Sequence, residues 1–158
     1  MASGNCIVVS ANPHGKFGEC TISGTPKPGT FLELLPATVS VAGRFTMRAV
    51  TRATGARGGV CILDYDRLQG KTVDDAYVTG TRAFTYWPIA GEELNGRVAS
   101  VAGTADDVAI GDLFGIEQTT GMLKANSSYT SAPFAALEAI TDPTVEYLLH
   151  VLYLGNQS

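Results

Sequence analysis

The stretch that decides the fold class is Arg82-Ala83-Phe84-Thr85-Tyr86-Trp87-Pro88-Ile89-Ala90-Gly91-Glu92-Glu93-Leu94-Asn95-Gly96-Arg97-Val98, running on to Val101. Its first half alternates. Phe84 and Tyr86 share one face, and Ala83, Thr85 and Trp87 the other, a period of two that predicts a strand. Pro88 has no N–H to give a ladder, so the strand stops there or lies at an edge. Ile89-Ala90-Gly91 turns the chain, and the next segment places Leu94 and Val98 on one face. The chain's single tryptophan stands at this corner. The unit reads as strand, corner, strand, a hinge between an N-terminal and a C-terminal half.

Upstream, short alternating runs at Cys6–Val9, Cys20–Ser23, Phe31–Leu35 and Phe45–Val50 predict further strands. Gly24-Thr25-Pro26-Lys27-Pro28-Gly29 forbids helix and predicts a turn. Gly55–Gly59 is a second turn, before the continuous apolar run Val60–Leu63, which suits a fully buried strand. Asp64–Tyr77 has no clean period beyond one capped turn at Thr72–Asp75.

Downstream, 101–109 reads as a Gly/Asp-rich loop. Leu113–Glu117, a turn at Gln118–Gly121 and Met122–Ala125 predict a hairpin. Ser131–Ile140 fits either an Ala-rich helix behind Pro133 or a buried strand, and Asp142-Pro143 ends it in both cases. Val145–Leu154 is apolar on both faces, which places it centrally in a sheet. Nine or ten short, evenly spaced strands predict an all-β fold, a compact β-barrel or β-sandwich with at most one or two short helices. Residues 1–19, rich in small and polar residues, predict an extended N-terminal arm ahead of a single β-rich domain, 20–158.

Composition narrows the function. The 158 residues are enough for one core without staples, and 18 glycines with 16% charged residues suit many turns. Eleven basic against fifteen acidic residues give a net charge of −4, with no basic stripe, which argues against a nucleic-acid partner. The longest apolar run is far short of the ~20 residues of a spanning helix, so no membrane partner is expected. The first ten residues lack the charged and apolar regions of a signal peptide. Three cysteines are an odd count, which predicts free thiols and a reducing site of synthesis, so the sequons at Asn126 and Asn156 carry no weight.

No catalytic, cofactor or metal signature emerges. The Gly24–Thr30 segment lacks the Gly-Lys-Ser/Thr ending of a phosphate loop, and its prolines remove N–H donors. Cys6, Cys20, Cys61, His14 and His150 have no zinc spacing. The acidic pairs Asp74-Asp75, Glu92-Glu93 and Asp106-Asp107 read as solvated turn charge, since neighbours on a strand face opposite ways. There is no nucleophile elbow. Gly59–Asp66 is similar to the Gly-Val-Ile-Asp-x-Asp-Tyr substrate segment of trimeric dUTPases. Here, however, the first aspartate falls two places late, the order becomes Asp-Tyr-Asp, and the family's Gly-rich C-terminal arm is missing.

Four stretches together give the chain its resemblance to a family. They are Gly18–Thr30, Leu68–Thr72 with Asp75-Ala76-Tyr77, the Tyr86-Trp87-Pro88 to Leu94-Asn95 corner, and Ile110-Gly111-Asp112 through Ala136–Ala139. In order and texture the chain resembles tailed-bacteriophage head decoration, or capsid cement, proteins. The resemblance implies a non-enzymatic homotrimer on the outer capsid of the virion, bound to the phage major capsid protein where capsomers meet, with no cofactor and no small-molecule substrate. It also favours the strand reading of Ala135–Ile140. On this reading Lys16 and Phe17 in the arm are the candidate capsid contacts, and Tyr86 and Trp87 the candidate subunit interface. Two other classes stay open: a small carbohydrate-binding module, disfavoured by having one tryptophan, and a dUTPase-like nucleotide hydrolase.

Overall fold

The computed structural model describes residues 6–10, 16–39, 44–51, 61–99, 107–125, 133–141 and 145–155. Its strands are β1 (Val8–Ser10), β2 (Lys16–Ser23), β3 (Phe31–Val39), β4 (Phe45–Ala49), β5 (Cys61–Leu63), β6 (Arg82–Trp87), β7 (Glu93–Val98), β8 (Leu113–Ile116), β9 (Leu123–Ala125), β10 (Phe134–Ala136) and β11 (Tyr147–Tyr153). The helical part of the described chain is one 3₁₀ turn, Arg67–Gln69. The fold is all-β. The expected turn at 55–59, the loop at 101–106, Val60, His14 and Asp106 lie outside the described residues.

The strands divide at the corner read from the sequence. β2-β4-β3-β5-β6 form a closed five-stranded barrel, in which β2 runs parallel to β4 and antiparallel to β6. The second sheet has the order β1-β7-β11-β10-β8-β9, and a parallel bridge from Val98 to Leu123 ties its last strand back to β7. β11 lies centrally, between β7 and β10, as its two apolar faces predict. The β8–β9 hairpin forms where expected, with Phe114 opposite Ala125. The Ser131–Ile140 segment resolves as a short strand, β10, with Phe134 paired to both Tyr153 and Phe114.

Alternation fills both interiors. Cys20 and Ile22 on β2, Leu32 on β3, Met47 on β4, Cys61 and Leu63 on β5 and Ala83 on β6 fill the barrel, and Trp87 packs against them. The larger core joins Leu94, Val98, Phe114, Leu123, Phe134, Leu149 and Val151 of the second sheet to Phe31, Ile62 and Tyr86 on the barrel's other face. Phe31 enters the second sheet beside Phe134, with ring centroids 4.8 Å apart. Gly96 leaves room for it, since a Cβ there would sit 2.5 Å from a Leu123 methyl and 3.4 Å from the Phe31 ring.

Two expectations about the N-terminus change. Ile7 is fully buried, and β1 pairs with β7, Val8 opposite Leu94. β2 begins at Lys16, and Lys16–Thr21 pair in unbroken register with Trp87–Arg82 of β6. The domain boundary expected at residue 19 therefore falls inside a strand. Residues 6–10 and 16–19 belong to the body, because β6 and β7 offer them open edges and apolar cover.

Burial sets the reactivity of the thiols. Desolvation pushes the Cys20 thiol up to about 12, and burial raises Cys61 as well, with Cys20 nearby adding to the effect. Cys6 is half-buried, its thiol 2.8 Å from the Val8 carbonyl oxygen. Thiolate is the reactive form. Native protein at pH 8 (about half a unit below an ordinary cysteine pKa) is expected to give at most one thiol to a disulfide reagent. Cys20 and Cys61 should react only at the rate of unfolding. Fast reaction of all three would contradict this core.

Candidate functional site

The two sheets meet at a polar junction inside the fold. Arg97 on β7 is 1% exposed. Its Nε donates to the Pro28 carbonyl at 2.8 Å, Nη1 to Glu146 Oε1 at 2.6 Å, and Nη2 to the Val73 carbonyl. Asp74 lies 3.5 Å from Nη2, and Lys27 shares Glu146 at 3.3 Å. Gly29, at φ +86°, donates to the Leu63 carbonyl and accepts from the Arg97 backbone N–H, so one residue bonds to both sheets. A Cβ there would meet a Leu148 methyl at 2.6 Å. The Gly24–Thr30 segment is therefore a turn that docks the barrel onto β7.

The β6–β7 corner is held from inside. Glu92 is 2% exposed; its Oε1 accepts from the Tyr86 hydroxyl at 2.6 Å and its Oε2 from the Ile89 N–H at 2.8 Å. Burial first, then the Glu92 carboxylate, push the Tyr86 phenol well above its ordinary value. Glu92 was expected to be solvated. It is buried because the corner leaves an amide and a phenol in need of an acceptor. Its neighbour Glu93 does point the other way and meets His150 Nε2 at 3.0 Å. Asp75 accepts from both the N–H and the hydroxyl of Thr72, so the expected capped turn exists with the carboxylate as its cap.

The four candidate residues separate. Lys16 and Phe17 are exposed on β2, and Phe17 covers Tyr86 with ring centroids 4.7 Å apart. Tyr86 is fully buried within its own chain, so it does not contribute a side chain to a subunit interface. Its hydroxyl needed an internal partner, and Glu92 supplies one. Trp87 is half-buried against the barrel interior and lies over Gly18, where a Cβ would come 2.6 Å from its ring.

Large apolar side chains remain exposed at Val9, Phe17, Leu34, Phe45, Leu68, Val78, Ile110, Leu113 and Val145. Among the described residues, no group of three or more His, Cys, Asp or Glu could hold a metal ion. No helix among them is long and apolar enough to cross a membrane.

A second polar anchor lies on the barrel. Glu33 on β3 is 6% exposed and accepts from Arg48 Nε at 2.9 Å and from the Thr51 hydroxyl at 2.9 Å. Burial alone would raise its carboxyl, but the bonds from Thr51 and Arg48 outweigh burial and hold it below its ordinary 4.5. A lowered folded pKa gives stability that is present above the unfolded value and lost as pH falls through the folded one. Glu33→Gln is therefore expected to be less thermostable than the parent at neutral pH, with the gap closing as pH falls below 4.5. A gap that persists unchanged into acid would refute the charged contribution.

No family model and no curated protein sequence matches the chain.

Proposed function

We propose that the protein is a structural component of a tailed-phage head, binding the outside of the capsid where capsomers meet and stabilising the expanded shell. The observation that carries this reading is the construction of the body. A closed barrel and a second, nearly closed sheet are riveted through Phe31, Gly29 and Arg97, while large apolar side chains stay on the surface. A shell clamp has to pass load between its contacts without deforming, and a close-packed interior of low compressibility does that. Exposed apolar groups supply contact area. Phe17 and Lys16 on β2 are the first candidates for touching the coat protein. Trp87 remains the candidate for contact between copies. Three copies in one trimer would raise the effective concentration of each contact, so individually weak ones suffice.

The test is co-sedimentation of the purified protein with undecorated phage heads, together with its solution mass by light scattering. Saturable binding and a trimeric mass are the expected results. A monomer that ignores heads ends the reading and turns attention to glycan and nucleotide screens.

A further inference from the structure

Beside β6 a small pocket of about 180 Å³ opens between the 3₁₀ turn and the 72–82 segment. It is below the roughly 300–1,000 Å³ of ordinary small-molecule sites, and it has the size of one or two side chains. Its walls are fixed from within. Asp66, 2% exposed, accepts from the N–H groups of Leu68 and Gln69 at 3.1 and 3.2 Å. Asp75 is held by Thr72, and Tyr77, behind the pocket, donates its hydroxyl to the Asp64 carbonyl at 2.9 Å. A recess built this way needs little ordering when something enters it.

Two cations line the same recess, Lys71 and Arg82. Lys71 is exposed and forms no ion pair among the described residues. The Arg82 side chain is 37% exposed, lies 5.0 Å over the Phe84 ring and reaches Glu19 only at 3.7 Å. The two acids of the lining are already engaged as acceptors in their own turns. Val78, in the wall, is 64% exposed, and Leu68, beside Gln69, is 80% exposed. Partly free cations within an apolar rim suit a carboxylate carried on an apolar segment.

We infer that this pocket receives an acidic side chain from an extended segment of a partner protein. The carboxylate sits between Lys71 and Arg82, and its apolar neighbours rest on Leu68 and Val78. The chain's own charge of −4 works against acidic partners at long range, so the attraction is local and weakens with added salt. The partner's identity as a coat protein rests on the proposed function. The site itself does not.

The probe is the peptide N-acetyl-Leu-Asp-Leu-amide, titrated into ¹⁵N-labelled protein. Amide shifts confined to residues 66–82 are expected, with affinity reduced about tenfold by Lys71→Glu and the response lost when the peptide's Asp is replaced by Asn. Three results would overturn the inference: no shifts at about 10 mM peptide, a weak-binding ceiling; an equal response to the Asn peptide; or the same response to acetate alone, which marks a small-anion site. Lys71 and Val78 are exposed, so Lys71→Glu and Val78→Asp should fold. Parent protein that binds heads while both variants fail supports the pocket as the shell contact. Variants that bind heads as well as the parent remove it from that role. A peptide response without head binding leaves the site standing and ends the capsid reading.

Discussion

Replacing Arg97 with Met is expected to destabilise the protein by about 3–5 kcal/mol, the usual result of breaking a buried ion pair from one side. Methionine fills much of the volume but leaves the Pro28 and Val73 carbonyls and the Glu146 carboxylate without the donors that now serve them. Domains of this size have only about 5–15 kcal/mol in total, so the variant should lie near the edge of folding. Arg97→Lys should recover little. A lysine keeps the charge but lacks the planar fork that reaches three acceptors at once. Urea unfolding of parent, R97M and R97K reads this directly. A loss under about 1 kcal/mol in R97M, the range of an exposed pair, would show that the junction is not held by this residue. Glu146→Gln provides the check on mechanism. Glu146 is shared with Lys27 and partly exposed, so its loss should cost less, and the double variant should cost less than the sum of the two.

Gly121→Ala is expected to be the second severe change, at about 3 kcal/mol or more. Gly121 has φ +68°, in the left-handed region, and a Cβ there would lie 2.5 Å from the Phe31 carbonyl oxygen and 2.9 Å from the Val50 nitrogen. Those atoms are backbone, and they cannot swing aside. They also belong to the tie between the sheets. Phe31 N–H donates to the Gly121 carbonyl at 2.7 Å, Val50 N–H to the Phe31 carbonyl at 3.1 Å, and Gly121 N–H to the Glu117 carbonyl at 2.9 Å. Gly91→Ala separates strain from clash. Gly91 has φ +94° but nothing within 4 Å of a built Cβ, so it should lose only the left-handed penalty, about 1–2 kcal/mol. Equal losses at the two positions in thermal or urea unfolding would mean that the contact with Phe31 carries no weight.

Both predictions concern the seam between the halves, and the seam is where sequence reading stopped. The strands themselves are written in local period. Phe84 to Trp87, Leu113 to Ala125 and Tyr147 to Tyr153 alternate as strands, and they are strands. The corner at Pro88–Gly91 was legible because proline removes a donor and glycine permits the turn. β2 was legible only in its second half. Lys16, Phe17, Gly18 and Glu19 have no apolar alternation of their own, and they are strand because β6 offers them a full register. The same limit applies to the site residues. Arg97 alternates away from Leu94 and Val98, which from sequence alone means solvent. The barrel's loops cover that face instead, and the arginine is buried.

The sequence by itself determined the all-β class, the strand–corner–strand division into two halves, the β8–β9 hairpin and the central place of β11, because periods of two and turn chemistry are properties of neighbouring residues. Tertiary structure decided the rest. Which strands close a barrel, that residues 6–10 and 16–19 complete two sheets, that Glu92 and Arg97 are buried anchors, and that Asp66, Lys71, Asp75 and Arg82 share one recess all depend on pairings between segments far apart in the chain. Such pairings answer to the shape of the whole core, and no local window of sequence contains it.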